Sequence, residues 1–200
     1  MLSNIICLEL ILLYTQSMTI VKLVVGLGNP GKEYENTRHN AGRIMVGLIE
    51  KKISAKGGPA SGWKFITPDN FMNNSGKAVA PFIKSKKDLK DLLVIYDDID
   101  LPLGKMKISF NRSSGGHNGL GSIIKSLKSE EFLRIRIGIA PATPKGAAKK
   151  PKGEKAMLDF LLGEFKKSEL ETIKKLGKKV TEAIETIYSE GKDKAMSLYN

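Results

Sequence analysis

Cysteine and histidine, the residues that most often build disulfides and metal centres, are scarce in this sequence. Its 200 residues include one cysteine, Cys7, and two histidines, His39 and His117. A single cysteine excludes an intramolecular disulfide framework and any cysteine-based zinc site, and two histidines leave little for a histidine-rich metal centre. We therefore expect a protein of a reducing compartment, the cytoplasm, that uses no metal and no other cofactor.

Long apolar runs are also few, and the apolar segment that begins the chain is too short to span a bilayer. Residues 1–17 lack Lys and Arg and contain Glu9 and Gln16, so they are typical of neither a signal peptide nor a membrane anchor. A clean strand pattern starts directly after Met18. We interpret residues 1–17 as an upstream extension, Met18 as the natural start and residues 18–200 as a single domain with no membrane partner.

Acidic residues are outnumbered by basic ones. The chain has 33 Lys and Arg against 21 Asp and Glu, which gives a net charge of +12 and a pI of about 9.6. A field of this sign attracts polyanions, so nucleic acid is the leading partner class. A general excess of surface lysine would produce the same charge, and charge alone does not separate the two interpretations.

The apolar spacing alternates between that of strands and that of helices. Runs of β-branched residues predict strands over 20–27, 63–67, 92–96, 105–110 and 133–139. Apolar residues at helical spacing predict helices from Asn40 onward, over 76–84, around 120–127 and over 170–187. In the second of these, Pro81 must either kink the helix or lie near its first turn. This order predicts a single α/β domain with a twisted, mixed but mostly parallel sheet flanked by helices. In the last strand, Arg134 and Arg136 alternate with apolar residues, which predicts an arginine-bearing face away from the core.

A glycine pattern in the stretch "VVGLGNPG", residues 24–31, has the G-x-G-x-x-G spacing of dinucleotide-binding proteins. That fingerprint needs a helix at its third glycine and an acidic residue about twenty positions later. Here a polar loop follows Gly31, and Lys51 stands in the helical pattern. A nucleotide-dependent oxidoreductase is therefore disfavoured, and we interpret the loop as part of another kind of site at a strand end, with Asn29 and His39 as candidates.

Five separated segments of the sequence form a more specific pattern. They are "GLGNPGKEYENTRHNAG", "FMNNSGKAV", "YDDIDLPLGK", "SSGGHNGLGSI" and "LRIRIGI", in that order between Val21 and about Ala140. Together they resemble the bacterial-type peptidyl-tRNA hydrolase family. The resemblance implies a monomer without a stable protein partner that hydrolyses the ester between peptide and tRNA in peptidyl-tRNA, and so frees tRNA for reuse in translation.

The resemblance also assigns catalytic roles. It implies that His39, in "TRHN", is the general base, that Asp97, in "YDD", orients it, and that Asn73 positions water and ester. Imidazole suits the first role because it titrates near working pH. Without the family match, His39 would be read as a histidine that caps the following helix, and the spacing alone would not choose Asp97 over Asp98 or Asp100.

Substrate-binding roles follow from the same resemblance. Asparagine side chains can donate to an oxyanion and accept from a peptide N–H. The residues implied to contact the peptide and the 3′ end are Asn29, Asn118, Tyr34, Phe71 and Met72. Lys107, Arg112 and Arg136 are expected to hold tRNA phosphates without reading sequence.

Some features leave alternatives open. The role of His117 is undecided, and the basic loop over 142–155 fits a mobile lid or a plain flexible loop. The region 51–73 is shorter than is usual in the family, so an edge hairpin is expected to be reduced. A catalytically silent RNA-binding relative, acting in RNA processing, is the alternative function.

Overall fold

A five-stranded mixed sheet forms the centre of the fold. In this computed structural model, the described residues are 22–55 and 63–200, so the interpretation of residues 1–17 and Met18 lies outside them. The strands are β1 (Lys22–Gly26), β2 (Trp63–Ile66), β3 (Leu92–Pro102), β4 (Met106–Phe110) and β5 (Leu133–Ala140). Their order is β2-β1-β3-β5-β4, and only β4 runs antiparallel to its neighbour. The predicted mixed, mostly parallel sheet is confirmed.

Helices cover both faces of this sheet. The described residues contain α1 (Ala41–Ala55), α2 (Ser75–Val79), α3 (Lys86–Leu89), α4 (Asn118–Leu127), α5 (Glu154–Leu162), α6 (Lys167–Ser189) and α7 (Lys192–Tyr199). Short 3-10 turns lie at Lys32–Tyr34, Arg38–Asn40, Met72–Asn74 and Ala80–Phe82. The interruption predicted at Pro81 is present, because the helix that starts at Ser75 becomes a 3-10 turn there.

Two apolar clusters hold the layers together. Because side chains alternate along a strand, Val24 contributes to one cluster and its neighbour Val25 to the other. The first cluster packs α1 and α6 against the sheet, with Met45 and Val180 buried in it. The second packs the opposite face against α4 through residues such as Leu120. The fold is therefore the predicted single α/β domain.

The arginine face predicted for β5 is only half correct. Arg136 is partly exposed, but Arg134 has no exposed surface. Its guanidinium donates to the Ser113 carbonyl at 2.9 Å and lies 4.6 Å from the centre of the Phe132 ring. The expectation was wrong for Arg134 because the loop after β4 folds back over this part of the sheet and supplies a carbonyl acceptor there.

β3 is longer than its apolar run indicates. The expected strand ended at Tyr96, whereas the observed one continues to Pro102 and carries the acidic residues on its extension. Backbone pairing to β5 supports this extension, with an irregularity between Asp98 and Pro102. The acidic residues thus lie on a sheet strand instead of in a free turn.

Close packing at the start of α1 sets the height of this helix above the sheet. A Cβ atom added to Gly42 would lie 2.2 Å from the Ile95 carbonyl oxygen and 2.8 Å from the Leu27 backbone nitrogen. Glycine lets the two backbones touch here because it has no Cβ atom, and a larger residue would keep them apart. The turn that directly precedes α1 is consequently held against the ends of β1 and β3.

We expect Gly42→Ala to lower the free energy of unfolding by about 1–3 kcal/mol, because its methyl group overlaps backbone atoms that cannot move aside. Gly47→Ala in the same helix is the matched control, since nothing lies within 4 Å of its Cβ position. It should raise stability by about 0.5–1 kcal/mol through helix propensity. Urea unfolding measures both, and equal effects of the two substitutions would contradict this packing.

Candidate active site

The candidate site lies at the carboxyl ends of the central parallel strands, the edge where α/β proteins place ligands. The side chains of two histidines and one aspartate meet there. His39 comes from the turn Arg38–Asn40 between β1 and α1, Asp97 from β3, and His117 from the N-cap position of α4. The three residues are far apart in the sequence and meet only through the tertiary fold.

His39 and Asp97 form a buried hydrogen-bonded pair. His39 Nδ1 lies 3.0 Å from Asp97 Oδ2 and 3.1 Å from Oδ1. The two residues are only 8% and 3% exposed. An ionised carboxylate can only accept, so Nδ1 carries the proton and Nε2 keeps a lone pair. This tautomer leaves Nε2 able to take a proton from a bound water.

The charges of the pair support this assignment. Burial opposes the imidazolium form, but the charge of Asp97 and the hydrogen bond to it act more strongly, so the pKa of His39 lies above its ordinary value of 6.5. Burial also opposes the charged form of Asp97, yet His39 and His117 hold the pKa of its carboxyl well below the usual range. The two histidines therefore favour the ionised form of Asp97.

Asn29 connects two loops by hydrogen bonds and is also a candidate substrate-binding residue. Its Oδ1 accepts from the Met72 backbone N–H at 2.8 Å, and its own backbone N–H donates to Asn40 Oδ1 at 2.8 Å. Asn40 Nδ2 returns a bond to the Asn29 carbonyl at 2.9 Å. With its side-chain oxygen bound in this way, Asn29 has its amide Nδ2 left to offer a ligand.

The residues expected to line a groove fall into two environments. Phe71 is 57% exposed and makes an edge-on contact with Tyr34, with ring centres 6.3 Å apart. Asn73 is exposed beside them. Met72 is placed differently from the expectation, because its side chain is buried in the core against Gly119. Its helical-turn neighbours point outward, and Met72 is the side chain that anchors the turn.

A cavity of about 410 Å³ opens beside the His39–Asp97 pair. His39, Asp97, His117 and Asn118 line one side of it, and apolar side chains of α5 line another. Its lining does not include the expected substrate residues Asn29, Asn73, Tyr34, Phe71 and Met72. The described site therefore includes this cavity and, apart from its lining, the exposed aromatic surface formed by Tyr34 and Phe71.

Basic side chains surround the cavity unevenly. Arg112 and Arg136 line it, and Lys107 is exposed on β4 opposite Arg136 in the strand register. Arg136 Nε donates to Asp98, so part of its charge is neutralised within the protein. Across the opening, Lys150 of the basic loop forms an ion pair with Asp100. The loop over 142–155 thus contacts the site in this structure.

Helix α5, which lines the cavity, is bound to the turn that carries His39. Arg38 Nη2 pairs with Glu169 of α6 at 2.9 Å, and its guanidinium lies 4.4 Å from the centre of the Phe160 ring. The Arg38 backbone N–H donates to the Gly163 carbonyl at 3.1 Å. The residue next to His39 is therefore bound to both ends of the α5–α6 junction.

The site is a hydrogen-bonded cluster and not a ready metal centre. One ligand atom from each of His39, Asp97 and His117 lies within 4.8 Å of the others, which is close enough for a cation. His117 Nδ1, however, accepts from the Leu120 N–H, so its Nε2 is protonated where it faces Asp97. His39 Nδ1 is likewise protonated, because it donates to Asp97. Neither nitrogen has a lone pair to give a metal at that point.

A buried histidine–aspartate pair at the strand ends of an α/β sheet, beside a basic cavity, defines the class of histidine-dependent enzymes that activate a small nucleophile. Comparison of the whole sequence narrows the class. The family model for peptidyl-tRNA hydrolase matches residues 23–200. The chain belongs to the peptidyl-tRNA hydrolase family, which confirms the resemblance seen in its motifs.

Known relatives agree with this assignment. The chain is 44% identical over 188 residues to the peptidyl-tRNA hydrolase of Fervidobacterium nodosum, covering 89% of this chain and 95% of that protein. It is 38% identical over 195 residues to the peptidyl-tRNA hydrolase of a Synechococcus strain, covering 90% and 83%. The crystal structure of peptidyl-tRNA hydrolase from Acinetobacter baumannii matches with a TM-score of 0.77 at 28% identity, over 92% of this chain and 96% of that one.

A separate property concerns membranes. Among the helices in residues 22–55 and 63–200, none is both long and apolar enough to cross a bilayer.

The pair predicts a specific titration. In Asp97→Asn the charge that favours imidazolium is lost while burial remains, so the pKa of His39 should fall from above 6.5 to below it. An NMR titration of the imidazole carbon-bound protons measures this. Asp100→Asn is the control and should leave the titration nearly unchanged, because Asp100 is half-exposed and paired with Lys150. A His39 pKa that stays above 6.5 in Asp97→Asn would show that another group sets it.

Proposed function

We propose that this protein hydrolyses the ester that joins a peptide to the 3′ ribose of tRNA, and so returns tRNA to translation. The observation that carries the proposal is the buried His39–Asp97 pair, with its free Nε2 facing a basic cavity, in a chain of the peptidyl-tRNA hydrolase family. The chemistry uses water, a base and hydrogen-bond donors.

The reaction follows from the tautomer of His39. Nε2 removes a proton from water as the water oxygen bonds to the ester carbonyl carbon. Asp97 stabilises the imidazolium that forms, because its carboxylate accepts from Nδ1 throughout. The tetrahedral intermediate then breaks its bond to the ribose oxygen, and the proton on Nε2 passes to that oxygen. The products are a peptide acid and tRNA with a free 3′ hydroxyl.

Asparagine side chains complete the proposed machinery. We assign Asn73 to the water and ester, because its amide is exposed close to the turn that holds Asn29. Asn118 lies next to His117 at the N-terminus of α4 and lines the cavity, so it is assigned to the substrate end. Amide N–H groups can stabilise an oxyanion without adding a charge of their own. Asn29, Tyr34 and Phe71 are assigned to the peptide and the terminal nucleotide.

The tRNA body is proposed to lie along the basic side of the cavity. Arg112 and Arg136 line that side, and Lys107 is exposed on β4 opposite Arg136. Such side chains can hold phosphates of any sequence, as an enzyme for many tRNAs requires. We propose that the protein acts as a monomer in the cytoplasm, where tRNA is charged and used.

The activity is tested with an N-blocked aminoacyl-tRNA in the presence of a chelator. The parent should release the blocked amino acid, and His39→Ala should lower kcat/KM by about 10²–10⁴-fold, the usual contribution of a general base. Affinity for tRNA should be unchanged in His39→Ala, which separates catalysis from binding. Tight tRNA binding by the parent with no loss of ester would instead support a silent RNA-binding protein.

The phosphate contacts predict a salt effect. Lys107→Ala should raise KM and reduce the slope of log KM against log salt concentration by about 0.7–0.9, the value for one lost phosphate contact. Lys90→Ala is the matched control, because Lys90 is an exposed lysine just before the amino end of β3, whereas the site lies at the carboxyl ends of the parallel strands. Equal effects of the two substitutions would show that net charge, and not this surface, attracts tRNA.

A further inference from the structure

Both ring nitrogens of the second histidine, His117, form hydrogen bonds. His117 Nδ1 accepts from the Leu120 backbone N–H at 3.2 Å, and this bond caps α4. A backbone amide can only donate, so Nδ1 must hold a lone pair and the ring proton must be on Nε2. His117 Nε2 lies 3.0 Å from Asp97 Oδ1. The backbone of α4 thus fixes a tautomer that donates to the carboxylate.

Two neighbouring rings also contact the His117 ring. Its side chain is 8% exposed, and the rings of His39 and Tyr96 each lie with centres 5.0 Å from its own. Its backbone N–H donates to the Ser114 carbonyl at 3.1 Å. The donor is therefore preorganised, and Asp97 Oδ1 cannot rotate away from it without leaving a buried N–H unpaired.

Asp97 therefore divides its negative charge between two donors. His39 contacts both of its oxygens, and His117 contacts Oδ1. A second hydrogen bond stabilises the carboxylate and reduces its pull on the proton of the first partner. Removal of the His117 bond should strengthen that pull and leave the carboxylate free to turn.

Other charges near the pair are balanced or more distant. Groups that face it from the surrounding elements are Asp98 and Asp100 of β3, Arg134 and Arg136 of β5, and Arg112 of the loop before α4, whereas α5 contributes the apolar Met157, Leu158 and Leu161. Asp98 is paired with Arg136, and Asp100 with Lys150. Among the described residues, His117 is the one besides His39 whose side chain bonds directly to Asp97.

We propose that His117 is a positioning residue that sets the working pH of the base: its capped, neutral ring donates to Asp97, fixes the carboxylate opposite His39 and limits how tightly His39 holds its proton. The proposal rests on the function proposed above, because it concerns the same base. It assigns no proton transfer to His117.

The test uses His117→Asn, which separates the two bonds of this histidine. Asparagine is among the best N-cap residues, so its side-chain oxygen can still accept from Leu120, while its amide is too short to reach Asp97 as well. We expect the pKa of His39, followed by NMR, to rise, and the acid limb of the pH profile of kcat/KM to move upward by about half a pH unit or more. At a fixed pH on that limb this is a loss of about threefold relative to the parent at the same pH.

His117→Ala removes both bonds and gives the comparison for a purely structural role. It should lose stability through the missing cap, whereas His117→Asn should keep most of it. If the titration of His39 and the acid limb are unchanged in a folded His117→Asn, the proposal is overturned. Loss of the plateau rate in His117→Asn with no movement of the acid limb would likewise overturn the proposal, because the variant would lose rate without any change in how tightly His39 holds its proton.

A measurement on the parent protein keeps the proposal testable if a variant does not fold. Nitrogen-15 spectra of the histidine rings should show His117 with its proton on Nε2 and a lone pair on Nδ1, as its bonds to Asp97 and Leu120 require. A proton on Nδ1 would overturn the proposal. Because these spectra need no substrate, they are independent of the ester assay, and a parent without hydrolase activity would refute the proposed function without deciding this point.

Discussion

A single buried negative charge organises the site. A carboxylate removed from water is strongly destabilising unless charged or polar partners replace its hydration. Asp97 is almost fully buried, and two imidazole N–H groups provide those partners. Each histidine is in turn oriented by the same carboxylate, so its charge decides which nitrogen of His39 is free. The catalytic tautomer is a consequence of how this charge is solvated by the protein.

The scaffold brings these partners together through backbone contacts. Parallel strands deliver Asp97 and the end of β1 to one edge, and Gly42 allows α1 to rest on that edge. The mutual bonds of Asn29 and Asn40 then fix the loop between β1 and the helix. Each of these contacts involves backbone atoms, and the one side chain that takes part, that of Asn40, is buried. The His39–Asp97 pair is therefore held by a rigid surrounding.

The approximate positions of strands and helices along the chain were predictable because apolar periodicity is a local property. Roles that depend on tertiary neighbours were not. Arg134 was expected on an open face, but a loop covers it; Met72 was expected in a groove, but it anchors a turn. The role of His117 was left open because its two partners, Leu120 and Asp97, come from different elements. The catalytic assignments of His39 and Asp97 came from five motifs in order and not from any physical pattern in one of them.

The fastening of Arg38 to Glu169 has a consequence for the order of synthesis. The two residues are 131 positions apart, so the turn that carries His39 meets its support only after most of the chain has left the ribosome. Chains emerge from the N-terminus first, and early segments wait for later ones. An unfinished copy contains the base and its aspartate without the helix junction that holds them. Each growing chain is attached to its own tRNA by an ester of the kind that this site is proposed to hydrolyse. That ester is therefore in place before the site is complete.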